Sequence, residues 1–340
     1  MSLLACVLLA QVIPGAAWEE CAPEAAGLSR AKLDALREFV GGRGCVIRGG
    51  RLAYTWGDVS KSSDVASAAK PVISTLLLLA VQEGKLVGVD ARVSDVEPRL
   101  VGKDAAMTWR HLACQLSGYG LEEAPGAAYA YNDYALAFYY DTLMGKVFRE
   151  AGTAVLKDRL GDALRFQDPV TFEAFGPKDR PGRLAISPRD FARFGLLVLR
   201  GGRWGERQLV PAGLLYMSIS STIPADTPLT LGKESALLPG QRTLGGSRNI
   251  TKVGPGYYSF NWWLNGQDDR RRQLFPDGPG DLVAALGHGG KRALWIFPGI
   301  DLVVSWNDAV IDDHDQSPGN PEGKLNHAVR LLLESAAGSR

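Results

Sequence analysis

Ser67 and Lys70, three residues apart in DVASAAKPVISTLLLL, are the first candidates for chemistry in this chain. A serine hydroxyl hardly ionises near neutral pH, so a serine nucleophile needs a neighbouring group that takes its proton. Residues three apart on a helix share a face, which lets the amine reach the hydroxyl. Lysine has an ordinary pKa of about 10.4 and becomes a base where burial favours its neutral form. The apolar turn after Lys70 would supply that burial. The alternative interpretation of Ser67 and Lys70 is a capped helix end without a catalytic role.

The spacing alone is weak evidence, because Ser29 and Lys32 share it. There a capping serine and a solvated lysine explain the pattern. Ser67 differs because a long apolar helix pattern follows it and no charge other than Lys70 occurs before Glu83. A charge at the buried end of a helix costs free energy unless it is paired or used.

Histidine, the commonest base for a serine, is scarce. The chain has four histidines and no GxSxG segment, which argues against an α/β-hydrolase triad. His111 and His327 lie in helical patterns and are expected to be structural. His314 lies in DDHD, which could indicate a metal site, but consecutive loop residues rarely converge on one ion, so we expect a surface loop. The four cysteines show no CxxC spacing, and no metal site is predicted.

A tyrosine-rich segment, PGAAYAYNDYAL, is a second candidate. Its Tyr131 is followed two residues later by Asp133. A tyrosine beside a cation can accept a serine's proton. The alternative interpretation is a patch of aromatic packing.

A third candidate is LGHGGKRALWIF, where His288, Gly289 and Gly290 follow a strand pattern. Glycines there let the backbone approach a ligand and present an N–H to a developing oxyanion. His288 could face the substrate. A glycine-containing β-bulge is the alternative.

The composition limits what kind of partner these groups serve. Of 340 residues, 46% are hydrophobic and 22% charged, as in an ordinary globular protein with ample material for a core. The 38 basic and 37 acidic residues nearly balance, so no large field attracts nucleic acid or an anionic membrane. We expect a small-molecule partner.

The elements that must position these residues follow from the pattern along the chain. An amphipathic helix capped by Ser29 precedes a hairpin with the turn Gly49-Gly50. Helical patterns prevail from 90 to 215, including one with Ser187 as cap and Pro188 at its first position. Residues 218–256 are expected to form a long rim loop. The late strand patterns are YYSFNWWL, DLVAALGHGG, KRALWIFP and DLVVSWND, and GKLNHAVRLLLESA predicts a final helix. Such a layout predicts an α/β sheet domain made from both chain ends, with a helical domain inserted between them.

The first residues, 1–17, resemble a signal peptide, because an apolar run is followed by Pro14 and small residues. We therefore expect an exported, periplasmic or secreted protein without a stable membrane span, the alternative being a buried N-terminal strand or helix. With a start further upstream, Cys6 would lie in a lipoprotein-like processing site. A disulfide between Cys21 and Cys45 would suit an export compartment.

Three segments occur in the order of known motifs. Ser67-Ala68-Ala69-Lys70 is similar to an SxxK motif, Tyr131-Asn132-Asp133 stands where a YxN motif occurs, and His288-Gly289-Gly290 where a KTG or HxG motif lies. From about residue 25 to 335 the chain resembles the serine β-lactamase-like superfamily of class C β-lactamases, DD-peptidases, and related esterases and amide hydrolases. The resemblance implies an antiparallel sheet flanked by helices (residues 23–85 and 245–340) and an inserted helical domain (86–244).

The resemblance also implies roles for individual residues. Ser67 would be the acylated nucleophile and Lys70 its proton acceptor. Tyr131 would relay the proton to the leaving group and later help to activate the deacylating water. The oxyanion hole would consist of the N–H groups of Ser67 and Lys291.

Two departures from the motifs bear on the substrate. Asp133 replaces a neutral asparagine, which could raise the pKa of Lys70 and weaken it as a base. His288 replaces a lysine that would bind a substrate carboxylate. Both changes favour esters or neutral amides over penicillins.

The chain is therefore predicted to be a serine hydrolase without a metal or organic cofactor, with an esterase first, a peptidase or amidase acting on small or D-configured peptides second, and a β-lactamase third. The alternative of another class is a non-catalytic, penicillin-binding-like ligand sensor. Specificity would rest on loops 218–256 and 265–280. Nearby, Tyr257, Tyr258, Trp262 and Trp263 could line a pocket or pack the sheet.

Overall fold

A computed structural model describes residues 12–176, 178–220, 223–241, 247–249, 253–313 and 318–337. Most of the predicted leader, together with Cys6 and His314, lies outside these described residues. The helices are α1 (Arg30–Val40), α2 (Lys70–Gln82), α3 (Trp109–Ala113), α4 (Asp133–Thr142), α5 (Gly152–Leu156), α6 (Asp162–Leu164), α7 (Pro188–Leu199), α8 (Ala212–Ser220) and α9 (Lys324–Ala337). The strands are β1 (Arg43–Arg48), β2 (Arg51–Trp56), β3 (Ser63–Asp64), β4 (Thr171–Phe175), β5 (Arg180–Ile186), β6 (Arg203–Trp204), β7 (Arg207–Gln208), β8 (Tyr258–Ser259), β9 (Trp262–Leu264), β10 (Val283–Gly287), β11 (Arg292–Phe297) and β12 (Leu302–Asn307).

Single helical turns complete the elements. The 3₁₀ turns are Glu24–Ala26, Ala66–Ala69, Val93–Asp95, Gly102–Ala106 and Pro298–Ile300, and π turns at Leu143–Phe148 and Lys157–Gly161 extend α4 and α5. The turn Ala66–Ala69 holds Ser67 and runs directly into α2.

The main sheet is antiparallel and seven-stranded, in the order β2-β1-β12-β11-β10-β9-β8. Its strands come from both ends of the chain, so the predicted antiparallel sheet flanked by helices is confirmed. The predicted hairpin joins β1 to β2 through Gly49 and Gly50, whose φ values are 60° and 80°. A two-residue turn with positive φ at both positions matches the twist of the strands it joins, and glycine adopts it without strain.

Side chains alternate between the two faces of this sheet along each strand. Both faces are buried, because helices cover each of them. In β1, Cys45 and Ile47 lie in the same apolar cluster as α2 and α7, whereas Val46 lies with α1 and α9. Ser29 caps α1 as predicted, its hydroxyl accepting from the Lys32 N–H at 3.5 Å. The nucleophile-bearing region is thus held against one face of a sheet that helices cover on both sides.

Helix α2 is apolar on every side, which is typical of a helix buried in a core. Leu76, Leu77 and Leu78 are fully buried. Pro71 falls in the first turn, where its missing N–H breaks no helical hydrogen bond. Burial all round fixes the axis of α2, and with it the position of Lys70 at its first turn.

The chain between residues 86 and 244 is less purely helical than the sequence predicts. Helix α7, capped by Ser187 as expected, packs on the main sheet: a Cβ at Gly195 would lie 2.7 Å from side-chain atoms of Leu294 and Val303. Strands β5 and β4 form a second sheet with β3 in the order β3-β5-β4. This small sheet leads straight into the turn that carries Ser67.

The suggested disulfide between Cys21 and Cys45 is absent. Cys21 is half-buried, Cys45 is buried, and both are free thiols, as is Cys114. The Cys45 thiol donates to the Pro188 carbonyl oxygen at 3.6 Å, so it serves as a small buried side chain between β1 and α7. No helix in the described ranges combines the length and apolar character that crossing a membrane requires.

Candidate active site

The turn that carries Ser67 starts from a strained residue. Ala66 has a φ of 51°, a left-handed conformation that non-glycine residues rarely adopt. The Asp64 carboxylate accepts a hydrogen bond from the Ala66 N–H at 2.9 Å, and the Val65 N–H donates to the Leu184 carbonyl oxygen at 2.9 Å. These two bonds secure the sharp bend that leads from β3 to Ser67.

The end of β10 lies directly against this turn. A Cβ at Gly287 would lie 2.3 Å from the Val65 carbonyl oxygen and 3.2 Å from the Ala68 nitrogen. Only glycine therefore permits this approach between β10 and the Ser67 turn. The sequence analysis missed Gly287, although it directly precedes the His288-Gly289-Gly290 motif.

Ser67 and Lys70 are in contact. The Lys70 Nζ donates to the Ser67 Oγ at 2.6 Å, and only 4% of the Lys70 side chain is exposed. The pair Ser29 and Lys32 has the same spacing, but there the lysine side chain is 48% exposed and forms an ion pair with Glu334. Burial and direct contact, which the spacing could not reveal, separate the two pairs.

The charges around Lys70 favour its protonated form. Its Nζ lies 4.6 Å from the centroid of the Tyr131 ring and 3.6 Å from Asp133 Oδ1. Burial is the largest single influence and opposes the charge, but Tyr131 and Asp133 together outweigh it, so the pKa of Lys70 is raised above its ordinary value. The expectation that an apolar turn keeps Lys70 neutral stays a prediction, which the neighbouring Asp133 carboxylate opposes. The expectation that Asp133 could raise the pKa of this lysine agrees with the structure.

Tyr131 is held by aromatic neighbours. Its ring stacks on Trp263 with centroids 6.2 Å apart and meets Tyr258 edge-on at 6.1 Å. Tyr258 and Trp262 are fully buried and pack the core, whereas Trp263 is half-buried beside Tyr131. Within this segment, therefore, Tyr258 and Trp262 are packing residues, whereas Trp263 is a neighbour of Tyr131.

Asn132 and Asn261 hold the surrounding backbone. Asn132 caps α4, its side-chain oxygen accepting from the N–H groups of Tyr134 and Ala135 at 3.0 Å. Asn261 donates to the Ser74 hydroxyl at 2.8 Å and to the Lys70 carbonyl oxygen at 3.4 Å. Asn261, which joins α2 to the β8–β9 turn, was missed because nothing in the sequence near residue 261 points to residue 70.

Asp133 lies between two cations. Its Oδ1 is 3.6 Å from the Lys70 Nζ and its Oδ2 is 3.5 Å from an Arg180 Nη1. The carboxylate side chain is 16% exposed. Arg180, at the start of β5, is a site residue that the sequence analysis missed, because it is 47 residues from Asp133 in the chain.

The third motif forms a tight turn between β10 and β11. The Lys291 N–H donates to the His288 carbonyl oxygen at 3.2 Å, and the Lys291 Nζ pairs with Asp312 at 2.8 Å. Gly289 accepts from the Asp313 N–H at 2.7 Å, and His288, with a φ of 51°, is exposed. The Lys291 N–H thus donates within the turn, and its assignment to the oxyanion hole stays a prediction. Gly287 makes a close contact with the nucleophile turn.

The two helical histidines within the described residues have structural surroundings. The His111 Nδ1 accepts from the Thr108 N–H at 3.2 Å, which closes a capping box at the start of α3. Burial lowers the pKa of His111. His327 packs edge-on against Phe39 at 4.6 Å. Among the described residues, Ser67, Tyr131 and Asp133 lie around the Lys70 amine.

Comparison with known proteins identifies a family and several structures to which this chain is similar. A family model described as Beta-lactamase matches residues 30–307. A beta-lactamase from Mycobacterium bovis has a TM-score of 0.62 at 16% identity, covering 91% of this chain and 99% of its own. A penicillin-binding protein homologue from Caulobacter crescentus has a TM-score of 0.61 at 14% identity, covering 92% and 99%. EstCE1, a hydrolase with promiscuous acyltransferase activity, has a TM-score of 0.58 at 14% identity, covering 90% and 97%. These likenesses show the fold, and a search of curated protein sequences finds no match.

Proposed function

The chain belongs to the Beta-lactamase family, a family of serine hydrolases, and from this premise we propose that it forms an acyl-enzyme on Ser67 and hydrolyses small esters. The observation that carries the proposal is the 2.6 Å contact between the buried Lys70 ammonium and the Ser67 hydroxyl. A buried cation on a serine oxygen stabilises negative charge as it develops there. A ligand-binding module would have no need of this contact.

In acylation, the Ser67 oxygen attacks the carbonyl carbon of the ester. Lys70 is already protonated and donates to that oxygen, so it orients and stabilises the nucleophile instead of accepting its proton. We assign proton uptake to the Tyr131 oxygen, which must react as the phenolate, an anion that the neighbouring Lys70 ammonium stabilises. The proton passes from Tyr131 to the departing alkoxide as the C–O bond breaks, and the alcohol leaves.

Deacylation reverses these roles. A water molecule gives its proton to Tyr131 and attacks the acyl carbon, and the proton then returns to the Ser67 oxygen as the acid is released. The negative charge on the carbonyl oxygen needs backbone donors in both steps. We assign one to the Ser67 N–H and the other to the backbone at the end of β10, because Gly287 brings that strand end against the nucleophile turn.

Two features support an ester over a β-lactam. Asp133 places a carboxylate beside Lys70 where a neutral amide occurs in the YxN motif. His288 stands where the KTG motif has a lysine, and in the structure it lies in an exposed turn. The lysine that would bind a substrate carboxylate is thus replaced, and a neutral acyl donor suits the site better.

The test is burst acylation by p-nitrophenyl acetate, together with fluorophosphonate labelling. We expect wild type to show a burst and Ser67→Ala to show neither burst nor label. Ser29→Ala is the matched control, since Ser29 has the same spacing to a lysine, and it should retain the burst. A wild type with no burst and no label would instead support a non-catalytic sensor.

The preferred substrate needs a panel of short and long esters, D-peptides and a chromogenic cephalosporin. Faster turnover of short esters than of the other two classes is the expected result. A preference for D-peptides would identify a peptidase or amidase, and a preference for the cephalosporin a β-lactamase.

A further inference from the structure

The Asp133 carboxylate is shared by two cations that lie at nearly equal distances. Lys70 is 3.6 Å from one oxygen and Arg180 is 3.5 Å from the other. The two cations differ in surroundings, because the Lys70 side chain is 4% exposed and the Arg180 side chain 35%. Arg180 therefore links a buried catalytic pair to the rim of the site.

The distance between the Lys70 ammonium and the Asp133 carboxylate is longer than is usual for a buried ion pair. Charge-assisted N–H···O hydrogen bonds in proteins are typically about 2.7–2.9 Å long. Here the separation is 3.6 Å, while the same Nζ is 2.6 Å from the Ser67 Oγ. Lys70 thus bonds to the serine in preference to the carboxylate, although the carboxylate bears the charge.

We propose that Arg180 is a positioning residue that shares the Asp133 carboxylate with Lys70 and so keeps the Lys70 ammonium on the Ser67 hydroxyl. This inference rests on the proposed serine hydrolase function. Arg180 attracts Asp133 Oδ2 from the side opposite Lys70 and offsets part of the carboxylate charge. Without Arg180, Asp133 draws the ammonium towards itself and lengthens its hydrogen bond to the nucleophile.

Within the described residues, the groups that contact the Lys70 amine come from two segments of the chain. Tyr131 and Asp133 act on it from the α4 region, and Ser67 from its own segment. Arg183, on the same strand as Arg180, is paired with Asp64. Arg180 is the cation of β5 that contacts Asp133, so it is the one whose removal alters the charge balance at Lys70.

The test is a double-mutant cycle of Arg180→Gln and Asp133→Asn, measured as kcat/KM for p-nitrophenyl acetate across pH. Loss of alignment at a reacting atom lowers rates by roughly ten- to a hundredfold, and we expect Arg180→Gln to fall in that range. Arg180→Lys should retain most of the rate. In the Asp133→Asn background, Arg180→Gln should cause no further loss, because the contact through which we propose that it acts is gone.

A second readout does not depend on activity. The Cε of Lys70 is titrated by NMR in lysine-labelled protein, with Lys70→Met to identify the signal. Removal of Arg180 leaves Asp133 to act on Lys70 alone, so the pKa of Lys70 should rise in Arg180→Gln. Arg330→Gln is the control: Arg330 forms an ion pair with Asp277 at 2.8 Å and has a comparable side-chain exposure of 38%. It should change neither the rate nor the titration.

Two results would overturn the inference. One is an unchanged rate and an unchanged Lys70 titration in Arg180→Gln. The other is an equal loss of rate from Arg180→Gln with and without Asp133, which would mean that Arg180 acts directly or on folding. If wild type shows no acylation at all, the hydrolase proposal fails by itself, and the Lys70 titration still decides the role of Arg180.

Discussion

Gly287 ends strand β10 so close to Val65 that a Cβ at position 287 would lie 2.3 Å from the Val65 carbonyl oxygen. The main sheet and the turn that carries Ser67 meet at this contact. The catalytic proposal therefore depends on a residue without a side chain. The contact also connects the seven-stranded sheet to the three-stranded sheet, since Val65 follows β3 and Gly287 ends β10.

Gly287→Ala should lower both stability and acylation. The added methyl group forces the Ser67 turn away from β10, and overpacking of this kind costs about 1–3 kcal/mol. The measurements are the free energy of unfolding in urea and the p-nitrophenyl acetate burst. Gly88→Ala is the control, because a Cβ there meets no atom within 4 Å. A Gly287→Ala protein with a wild-type burst would show that the contact does not serve acylation.

Asp133→Asn should move the alkaline limb of the pH–rate profile to lower pH. The rate requires the Lys70 ammonium, so it falls as pH rises through the pKa of Lys70. Asp133 helps to raise that pKa, and the neutral amide removes its contribution. The same variant should gain turnover of a chromogenic cephalosporin, whereas Asp133→Glu should not. An unchanged substrate profile in Asp133→Asn would count against the role given to this residue in specificity.

Lys70 should also make stability depend on pH. Its pKa is raised in the folded protein, so the folded state holds this proton more tightly than the unfolded chain does. The resulting stabilisation is fully present below the ordinary lysine pKa of about 10.4 and is lost as pH rises through the folded-state value. Unfolding free energies above about pH 10.4 should therefore fall more steeply for wild type than for Lys70→Met. Parallel curves for the two proteins would contradict the raised pKa.

Asp64 should affect activity although it is not one of the proposed catalytic residues. It accepts from the Ala66 N–H at 2.9 Å and forms an ion pair with Arg183, so Asp64→Ala releases the bend before Ser67. We expect a loss in kcat of roughly ten- to a hundredfold, with partial recovery in Asp64→Asn, which keeps an acceptor oxygen.

Ala66→Gly tests the backbone strain in the same turn by relieving it. A φ of 51° is strained for alanine and free of strain for glycine, so this variant should keep its activity and unfold no more easily than wild type. A large destabilisation measured by urea unfolding would show that the left-handed conformation is not retained in solution.

Local patterns predicted the elements well. The Gly49-Gly50 hairpin, the Ser29 cap of α1 and the Ser187 cap of α7 each depend on residues close together in the chain. The surfaces against which the helices pack were less predictable, because packing depends on residues far apart in the chain. Helix α7 joined the main sheet because Gly195 allows it to approach β11 and β12, and an amphipathic pattern does not name the surface it covers.

By itself the sequence determined the order of the three motifs, the helix caps and the hairpin, which follow from short-range spacing and hydrophobic periodicity. The resemblance of the motifs to those of the serine β-lactamase-like superfamily implied the antiparallel sheet with its flanking helices. Only the tertiary structure decided that Lys70 is buried against Ser67 and Asp133, that Arg180 shares Asp133 with it, and that Gly287 meets the Ser67 turn. The physical reason is that charge and close contact depend on distances in space, and the groups that decide them here lie on elements up to more than two hundred residues apart in the chain.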